Sequence, residues 1–437
     1  MRELVVWMNG ERVGVWSRGR TGRHRFTYDA SWLESEHVRA LSLSLPISVG
    51  REVAGDAVVN YFDNLLPENE RIRRRLSVRF KTGSTEAFEL LQAIGRDCVG
   101  AVQLLPPDEE PEGFNHLDFD VLKDADVERI LEGVTAPAGP LMANQEDSLR
   151  ISIAGAQEKT ALLRVGKKWC QPRRSTPTTH IFKLPLGLVG GRRLDLSHSV
   201  ENEWLCAQIL AELGLPVAHT EMARFGAQKV LVVERFDRRW MAKRAWIARL
   251  PQEDFCQALG VAFESKYEVD GGPGIAQCLK VLAGSENASD DSRLFLCAQL
   301  AFWLLAATDG HAKNFSLFLH KGDRYRLTPL YDVLSAWPVI GNGANQVPWQ
   351  RAKLAMAVRS KNAHYRLAEI QTRHWRELAN KSGVEGAWDA MTALALRSDA
   401  AIEAVRARLP KDFPSAVAGR ISDGVRRQAR AFGRVSA

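Results

Sequence analysis

An apolar helical run over 294–307 leads directly into a polar loop over 308–314, and this arrangement most constrains the fold. A helix that is apolar on every side is buried in a core. The polar loop is therefore presented from a rigid element. Two predicted strands, at 315–319 and 325–327, then form a hairpin that leads to Asp332. A buried helix and a hairpin can together hold the polar side chains of this region close to one another.

The composition is that of a globular protein with more than one core. The chain has 437 residues, which at roughly 150 residues per domain predicts two or three domains. Apolar residues make up 45% and charged residues 25%, which excludes a disordered, collagenous or coiled-coil chain. The 59 basic and 52 acidic residues leave a net charge of +7, too small an excess for a histone-like or ribosomal role.

Neither the cysteines nor the apolar runs indicate an exported protein. The six cysteines lie at wide, irregular spacings without a C-x-x-C, so we predict no zinc site and no disulfide framework. The sequence shows no signal peptide and no run near the ~20 apolar residues of a membrane span. We therefore expect a cytoplasmic protein without membrane contact. Its 12 tryptophans are expected to serve packing.

The chain begins with a pattern typical of a β-hairpin. Predicted strands at 4–8 and 12–16 flank Asn9 and Gly10, which both tolerate the positive φ of a type I′ turn. A segment rich in acidic residues and prolines, 106–113, indicates a domain boundary. Between these features the pattern predicts helices at 57–66, 68–80 and 85–94 and a strand at 99–105.

The remainder divides into a strand-rich part and a mostly helical part. A helix is predicted near 124–133, before the pattern changes at 148. Beyond 250 the pattern is mostly helical, with a glycine-rich break at 270–274. The strand-rich part holds predicted strands at 150–153, 159–165, 180–184 and 229–233 and one helix at 199–213.

Three polar residues near the buried helix fit phosphoryl transfer from ATP. Asp309 and Asn314 stand in a D-x-x-x-x-N relation, and Asp332 follows one hairpin later. A carboxylate can accept the proton of a substrate hydroxyl, while an Asn oxygen and a second carboxylate can hold Mg²⁺. The alternative is a solvated loop with an Asx-turn, since Asp, Gly and Asn are common turn residues.

Upstream segments supply the other parts of a kinase in the expected order. Lys183 lies in an apolar strand, where its ammonium is costly unless it meets an anion. Either Glu201 or Glu203 in the next helix could pair with it, and the choice stays open. The connector 234–237 could offer backbone groups to adenine. The alternatives are an exposed lysine on an edge strand and exposed glutamates favoured by the helix dipole.

The segment 151–160 could form a loop that covers phosphates. It departs from the P-loop motif, because Glu158 replaces the second glycine and the spacing fails. Its small residues would still let backbone N–H groups approach phosphates closely. An ordinary β-turn is the alternative.

Taken together, these motifs resemble the HipA family of bacterial serine/threonine kinase toxins over nearly the whole chain. The resemblance implies an α+β fold: an N-terminal domain (1–105), an acidic linker with a helix (106–147) and a bilobal kinase-like domain (148–437), with N-lobe elements over 148–236 and a helical C-lobe over 237–437. The matching stretches are 61–67, 94–97, 152–159, 178–183, 234–239, 250–254, 270–274, 308–314 and 331–332.

The resemblance also implies ATP and Mg²⁺ as cofactors and assigns roles to residues. Asp309 would accept the hydroxyl proton, and Asn314 and Asp332 would bind Mg²⁺ and ATP. Lys183 would hold the ATP phosphates, with Glu203 as its supporting ion pair. The further ATP-binding residues would be Ala154, Gly155, Ala156, Gln157, Glu158, Lys159, Glu234, Arg235, Phe236, His311, Ala312, Lys313 and Tyr331.

Family membership would place the chain in a toxin–antitoxin pair. Family members phosphorylate their own serine at the position of Ser152, and the added charge would repel ATP. The implied substrate is an aminoacyl-tRNA synthetase, and the implied partner is a dimeric HipB-type helix-turn-helix antitoxin. Because 373–381 mixes both charge signs, operator DNA is expected to be contacted mainly through the antitoxin. The arginine-rich runs at 71–81 and 420–437 are expected to be solvated helix faces.

Two other functions remain open on the sequence. The same core could phosphorylate a small molecule, such as a lipid or an antibiotic. The chain could also act chiefly as a co-repressor bound to a DNA-binding antitoxin.

Overall fold

The computed structural model describes residues 2–135, 154–155 and 157–433. The chain divides into two compact units, each built from three segments. Unit 1 comprises Met1–Leu184, Ala223–Glu264 and Ser316–Tyr325, and unit 2 comprises Pro185–Met222, Ser265–Phe315 and Arg326–Ala437.

Strands and helices alternate irregularly along the chain, as expected for an α+β protein. The strands are β1 (Arg2–Met8), β2 (Glu11–Arg18), β3 (His24–Tyr28), β4 (Glu52–Ala54), β5 (Val102–Leu105), β6 (Phe119–Val121), β7 (Lys159–Val165), β8 (Lys168–Pro172), β9 (His180–Lys183), β10 (Gly187–Val189), β11 (Leu194–Leu196), β12 (Thr220–Phe225), β13 (Gln228–Glu234), β14 (Arg238–Met241), β15 (Trp246–Arg249), β16 (Gln252–Asp254), β17 (Ser316–Leu319), β18 (Tyr325–Leu327), β19 (Lys353–Arg359) and β20 (Ala363–Arg366).

The helices are α1 (Ala30–Glu34), α2 (Asp56–Asp63), α3 (Glu70–Phe80), α4 (Ala87–Ile94), α5 (Asp124–Thr135), α6 (Ser199–Glu212), α7 (Phe255–Ala258), α8 (Ile275–Leu282), α9 (Ala288–Leu305), α10 (Thr372–Ser382), α11 (Ala387–Leu396), α12 (Ser398–Arg406) and α13 (Ser415–Gly433). The mixed fold class is confirmed. The predicted strand at 150–153 lies outside the described residues.

The N-terminal part of unit 1 is an antiparallel sheet in the order β4-β3-β2-β1-β5. Its first turn has φ values of 48° at Asn9 and 87° at Gly10, so the hairpin prediction is confirmed. The buried face packs against helices α2 and α4, where Trp16 stacks on Phe62 with ring centroids 4.1 Å apart. Burial of such aromatic pairs is a main source of stability in a small sheet.

The second sheet of unit 1 has the order β12-β13-β9-β7-β8-β6. Successive side chains of a strand face opposite sides of a sheet. On one side, Leu162 and Phe182 pack with Val127 and Leu131 of α5 in a buried cluster. Lys183 therefore belongs to the other side, in a strand flanked by neighbours on both edges. The exposed edge-strand alternative for this lysine is wrong.

A buried charged network in unit 1 links the segment between α4 and β5 to the connector after β13 and to β15. The Asp97 carboxylate accepts hydrogen bonds from the Thr178 hydroxyl at 2.6 Å and from Arg238 at 2.9 Å. Arg235 and Arg249 lie within 3.3 and 3.1 Å of the same carboxylate. All four charged side chains are at most 7% exposed. These cations hold the pKa of Asp97 well below its usual range despite its burial.

A second carboxylate and one asparagine complete this network. Arg235 also binds Asp237 at 2.8 Å, and Asp237 accepts the backbone N–H of Gly100 at 2.7 Å. The Asn9 side chain exchanges two hydrogen bonds of 2.9 Å with the backbone of Arg249. The turn residue of the first hairpin thus also anchors that hairpin to β15.

Unit 2 is largely helical, and α9 is its buried centre, as the sequence predicts. Helices α8, α11 and α13 contact α9, and α12 contacts α6. The prediction of a mostly helical region beyond 250 is incomplete. The strands β19 and β20 pair in unit 2, and β16 pairs with β17 in unit 1. The predicted hairpin at 315–319 and 325–327 corresponds to β17 and β18, whereas β16, β19 and β20 were missed because they lack the long alternation from which sequence periodicity is recognised.

The arginine-rich run on α3 is only partly a solvated face. Arg73 is 8% exposed, donates to Asp63 at 2.7 Å and lies over the ring of Phe263. Arg74 is exposed and pairs with Glu70 one turn earlier. Within the described part of the chain, no helix is both long and apolar enough to cross a membrane.

Replacing Asp97 with alanine should strongly destabilise unit 1. The change would leave three buried guanidinium groups with too few anions, which costs about 3–5 kcal/mol in the free energy of unfolding. Urea denaturation followed by tryptophan fluorescence would measure the loss. The matched control is Asp120→Ala, which removes an exposed pair with Arg173 and should cost at most about 1 kcal/mol.

The same network predicts an acid-sensitive fold. Because the pKa values of Asp97 and Asp237 are lowered in the folded state, their contribution is complete above about pH 4 and is lost as the pH falls further. Equal denaturation midpoints for Asp97→Ala and Asp120→Ala would show that the network does not stabilise the fold.

Candidate active site

The candidate catalytic residues lie in unit 2, at the end of α9. The helix ends where Ala306 adopts a left-handed conformation with φ 49°. The following loop packs back on the helix, because a Cβ atom at Gly310 would lie 2.3 Å from the Phe302 ring. Glycine at this position therefore allows a close approach that fixes the loop against the buried helix.

Asp309 presents its carboxylate to solvent from this loop. Its side chain is 65% exposed, and the Tyr267 hydroxyl donates a hydrogen bond to its Oδ1. Its backbone carbonyl accepts 2.8 Å hydrogen bonds from the His311 N–H and the Asn314 side-chain amide. The carboxylate is thus accessible while the main chain beneath it is held in place.

His311 is a buried, neutral side chain next to Asp309. Burial, reinforced by Lys266 and Lys313, lowers the pKa of His311 well below 6.5. The 3.7 Å separation between His311 Nε2 and Asp309 Oδ1 is therefore not an ion pair near neutral pH. The Tyr267 ring packs edge-on to the imidazole at 5.0 Å, which orients both groups that flank the carboxylate.

Asn314 and Asp332 are brought together at the same place. The Asn314 amide nitrogen donates to the Asp309 carbonyl at 2.8 Å and, more weakly, to the Asp332 carbonyl at 3.4 Å. These bonds use the nitrogen, so the amide oxygen is turned away from both carbonyls. Asp332 has φ 58°, an uncommon conformation for a residue other than glycine that concentrates at functional sites.

The donor set fits a magnesium ion better than a transition metal. Across 2–135, 154–155 and 157–433 no group of three or more His, Cys, Asp and Glu side chains is placed to hold a metal. Mg²⁺ instead takes one or two protein carboxylates together with waters and substrate phosphates. The Asn314 amide and the Asp332 carboxylate would be oxygen ligands of this kind.

The predicted site residues Ala312, Lys313 and Tyr331 lie in or contact this loop. Ala312, Lys313 and Asn314 form one turn of 3₁₀ helix in which all three are buried. The Tyr331 hydroxyl donates to the Lys313 carbonyl at 2.8 Å. Tyr331 thus fastens the segment before Asp332 to the loop that carries Asp309.

Helix α6 is clamped to the segment that follows Asp332 by a residue that the sequence analysis missed. The Asn202 amide donates to the Ser335 carbonyl and accepts the Ser335 N–H, both at 2.8 Å. The Ser335 hydroxyl donates in turn to the Leu305 carbonyl at the end of α9, at 2.6 Å. Ser335 therefore connects both helices to the Asp332 segment. Nothing in the spacing of Asn202 signals this, because its partner is 133 residues away.

Both candidate glutamates of α6 are buried, so the exposed first-turn alternative is wrong. Glu201 is 3% and Glu203 is 4% exposed. Glu201 lies 3.8 Å from His198. The pairing of either glutamate with Lys183 stays a prediction.

The candidate nucleotide-binding residues Lys159 and Lys183 lie in unit 1. Lys183 is 6% exposed and stands opposite Leu231 on one neighbouring strand and Lys159 on the other. Directly paired residues of an antiparallel ladder share a face. Lys159 and Lys183 therefore form a cationic pair on the side of the sheet away from α5.

The loop before β7 is held against the N-terminal domain. Gly155 adopts φ 113°, and its carbonyl accepts the Glu68 N–H at 3.1 Å. The Glu158 carboxylate binds Arg75 of α3, so it is already neutralised by a cation. Gln157 donates to the Leu184 carbonyl at 2.5 Å. Ser152 and Ala156 lie outside the described residues.

The connector after β13 has one residue that differs from the sequence expectation. Arg235 donates its backbone N–H to the Thr179 carbonyl at 2.9 Å, and its side chain is 1% exposed within the charged network. Arg235 therefore anchors the connector to the charged network, and neither its N–H nor its guanidinium is available to adenine. Phe236 packs edge-on to Phe318 at 5.7 Å, and Glu234 is exposed.

The fold of this chain is kinase-like. Two family models match it: the HipA N-terminal domain over residues 4–105 and the HipA-like C-terminal domain over residues 151–412. The chain belongs to the HipA family.

Relatives and solved structures agree with this membership. The chain is 35% identical to the Sinorhizobium fredii protein named "Putative kinase Y4mE", over 88% of this chain and 86% of that one. It is 28% identical to the "Serine/threonine-protein kinase toxin HipA" of Shewanella oneidensis, over 70% and 69% of the two chains. A solved Shewanella oneidensis complex of HipA, HipB and operator DNA contains a chain that matches with a TM-score of 0.80 and 25% identity, over 99% of this chain and 98% of that one.

Replacing Asn202 with alanine should loosen the Asp332 segment. The change removes two buried hydrogen bonds to Ser335 and should cost about 1–3 kcal/mol. Hydrogen exchange of the Ser335 amide should become faster in the variant. The matched control is Asn287→Ala, which changes an exposed asparagine without a side-chain cap bond and should leave that rate unchanged. Equal exchange in both variants would contradict the clamp.

Proposed function

We propose that this chain is an ATP- and Mg²⁺-dependent protein serine/threonine kinase that acts as the toxin of a toxin–antitoxin pair. The observation that carries the proposal is the convergence of Asp309, Asn314 and Asp332 at the end of one buried helix. Phosphoryl transfer needs a proton acceptor for the hydroxyl and oxygen ligands for the metal, with few other groups. The kinase names of two relatives support the same class.

Asp309 is the proton acceptor in this proposal. Its carboxylate is exposed, so a serine or threonine hydroxyl of a protein substrate could approach it. The Tyr267 hydroxyl and the neutral His311 ring restrict the orientation of the carboxylate. A positioned carboxylate of this kind contributes roughly 10²–10⁴-fold in rate by general base catalysis.

Asn314 and Asp332 are the proposed magnesium ligands. Bound Mg²⁺ would neutralise the charge that develops on the phosphates. The chain itself supplies the rigidity, since Tyr331 and Ser335 fasten the backbone on both sides of Asp332. A rigid ligand frame lowers the cost of organising the metal and phosphates together.

Unit 1 supplies the proposed nucleotide contacts. Lys183 and Lys159 are two buried or half-buried cations on one face of a sheet, a suitable environment for phosphates. The backbone of 154–159 would cover the phosphates, and the connector at 234 and 236 would bind adenine. We assign Arg235 to support of the connector, and Glu203 to the ion pair with Lys183.

The proposed regulation and target follow from family membership. Phosphorylation of Ser152, within the loop segment, would add about −1.5 to −2 charges and disfavour ATP binding. An aminoacyl-tRNA synthetase is the proposed protein substrate, whose modification would stall translation and arrest growth.

Incubation with labelled ATP and Mg²⁺ should place label on Ser152 of the wild-type chain. Asp309→Asn should lower the rate of labelling by roughly 10²-fold or more, because the proton acceptor is lost. Removal of Mg²⁺ with EDTA should have a similar effect. Mass spectrometry of tryptic peptides would locate the label.

The matched control is Asp290→Asn, the same change at an exposed carboxylate on the first turn of α9. It should label at the wild-type rate. Equal labelling of the Asp309 and Asp290 variants would refute the assignment of Asp309. Transfer of label to lipids or antibiotics, with no labelled protein, would instead indicate a small-molecule kinase.

A second proposed activity is co-repression with a dimeric HipB-type antitoxin. The observation that favours it is the match to a chain in a complex of HipA, HipB and operator DNA over nearly the full length. We propose that the antitoxin makes most of the DNA contacts. Several arginines of α13 are already neutralised or engaged: Arg426 pairs with Asp399 and Glu403, and Arg420 donates to backbone carbonyls.

Co-expression with a HipB-type helix-turn-helix antitoxin should give a complex that shifts operator DNA in a gel. Asp309→Asn should leave the shift unchanged while abolishing growth arrest, because repression needs no catalysis. A chain that shifts DNA equally well without the antitoxin would contradict the proposed indirect contact.

A further inference from the structure

A small cavity of about 70 Å³ in unit 1 borders the proposed phosphate loop and shares Gln157, Glu158 and Lys159 with it. It lies between α3, the end of α5 and the start of β7. Its volume is about twice the roughly 30 Å³ share of one water in the liquid. This volume is sufficient for a small group such as a tetrahedral oxyanion. Its lining residues are Pro67, Ile72, Arg75, Leu76, Arg79, Phe80, Val134, Gln157, Glu158, Lys159 and Thr160.

Part of the cavity wall belongs to the opposite face of the sheet from Lys183. Lys183 and Lys159 are paired, and Thr160 is the next residue along β7. Because adjacent side chains alternate between faces, the Thr160 hydroxyl belongs to the α5 side. Val134 at the end of α5 confirms this by lining the same cavity. The Thr160 hydroxyl therefore faces away from the side of the sheet proposed to hold ATP, whereas Lys159 belongs to that side.

Two buried hydrogen-bonding groups at this cavity have no partner among the described residues. Thr160 is 3% exposed, and its Oγ1 makes no hydrogen bond there. The Arg79 Nη2 is buried as an atom and likewise makes none. An unsatisfied buried polar group is costly, and native proteins seldom keep two such groups around one cavity without a ligand or water.

The charges around the cavity favour an anion. Arg75, Arg79 and Lys159 contribute three cations to the lining, against one carboxylate from Glu158. The pKa of Arg79 is lowered by its burial and by the neighbouring Arg75 cation. A bound anion would relieve both effects, since it would neutralise two guanidinium groups held close together.

We propose that this cavity is an oxyanion site that binds a single phosphate group through Arg79, Arg75 and the Thr160 hydroxyl. The forked guanidinium groups match the geometry of a phosphate, and the hydroxyl adds a third donor. The phosphate could be free in solution or carried as a phosphoryl group on a protein side chain. Both sources present the same oxygens to these donors.

Phosphate binding at this site would affect the contacts of the loop over 154–159. Arg75 binds the Glu158 carboxylate, so a phosphate at the cavity competes with Glu158 for that arginine. This consequence rests on the proposed role of the loop in covering ATP phosphates. The binding site itself does not depend on kinase activity.

The test is a calorimetric titration of inorganic phosphate into the full ATP-free chain carrying Asp309→Asn, at constant ionic strength. Added Arg79→Gln or Thr160→Val should each weaken phosphate binding by about tenfold, the effect of losing one charged hydrogen bond. Thr160→Val preserves the shape and should not destabilise the protein without phosphate, because it removes an unsatisfied hydroxyl.

Two matched controls separate this site from other cationic surfaces. Arg74→Gln removes the same charge from the exposed side of α3, where Arg74 is 68% exposed, and should leave the affinity unchanged. Lys183→Met removes a cation from the proposed nucleotide face and should also leave it unchanged. Loss of phosphate binding in Lys183→Met but not in Thr160→Val would overturn the proposal while supporting the nucleotide site. Absence of any phosphate binding would overturn it as well.

A second titration distinguishes the two sources of phosphate. The chain with Asp309 intact is first incubated with ATP and Mg²⁺, and its affinity for inorganic phosphate is then measured. Unchanged affinity for inorganic phosphate after this treatment assigns the site to free phosphate. An affinity lost after incubation, and retained in Asp309→Asn, assigns it to a phosphoryl group on the chain. Both results support the site, and they separate its ligands.

Discussion

The architecture of unit 1 depends on the buried pairing of Asp97 and Asp237 with three arginines. Charges removed from water are costly, and such a group persists only when almost every donor and acceptor is satisfied. Here Thr178 and the Gly100 N–H complete the two carboxylates. The network ties the end of the N-terminal sheet to the connector after β13. A shift of the connector would expose these buried carboxylates and guanidinium groups to solvent or separate them from their partners.

The candidate catalytic loop is organised by neutral hydrogen bonds instead. Asn202 and Ser335 link α6, the end of α9 and the segment after Asp332 through main-chain groups. Such bonds are directional and need no counter-ion, so they fix a backbone without adding charge beside a metal site. The left-handed conformation of Asp332 is a strain that this frame can hold. Unit 1 thus uses buried charge to fix its connector, and unit 2 uses amide and hydroxyl groups to fix its carboxylates.

The position of the candidate oxyanion cavity gives the N-terminal domain a possible chemical role besides packing. Helix α3 belongs to that domain, yet it provides Arg75 and Arg79 to a space that borders β7 and the loop before it. The same helix holds Glu158 through Arg75. An arginine-rich helix face that resembles a solvated surface in the sequence is therefore divided into a buried anchor, an exposed pair and a cavity wall. The arginines of α3 differ in role because their side chains leave the helix on different sides, and only some of these sides contact the rest of unit 1.

The sequence alone determined the local secondary-structure elements and the chemical types of the candidate site residues. The Asn9-Gly10 turn, the buried helix before Asp309, the strand at Lys159–Val165 and the order of the polar motifs follow from turn chemistry and periodicity, which act over a few residues. Tertiary structure alone decided that Lys183 lies in a central strand, that both α6 glutamates are buried, and that Arg235 supports the connector. It also decided the partners of Asn202 and Asp97. Ser335 lies 133 residues from Asn202, and Arg235 lies 138 residues from Asp97. Burial and long-range pairing depend on which elements pack together, and no pattern within a short window of sequence contains that information.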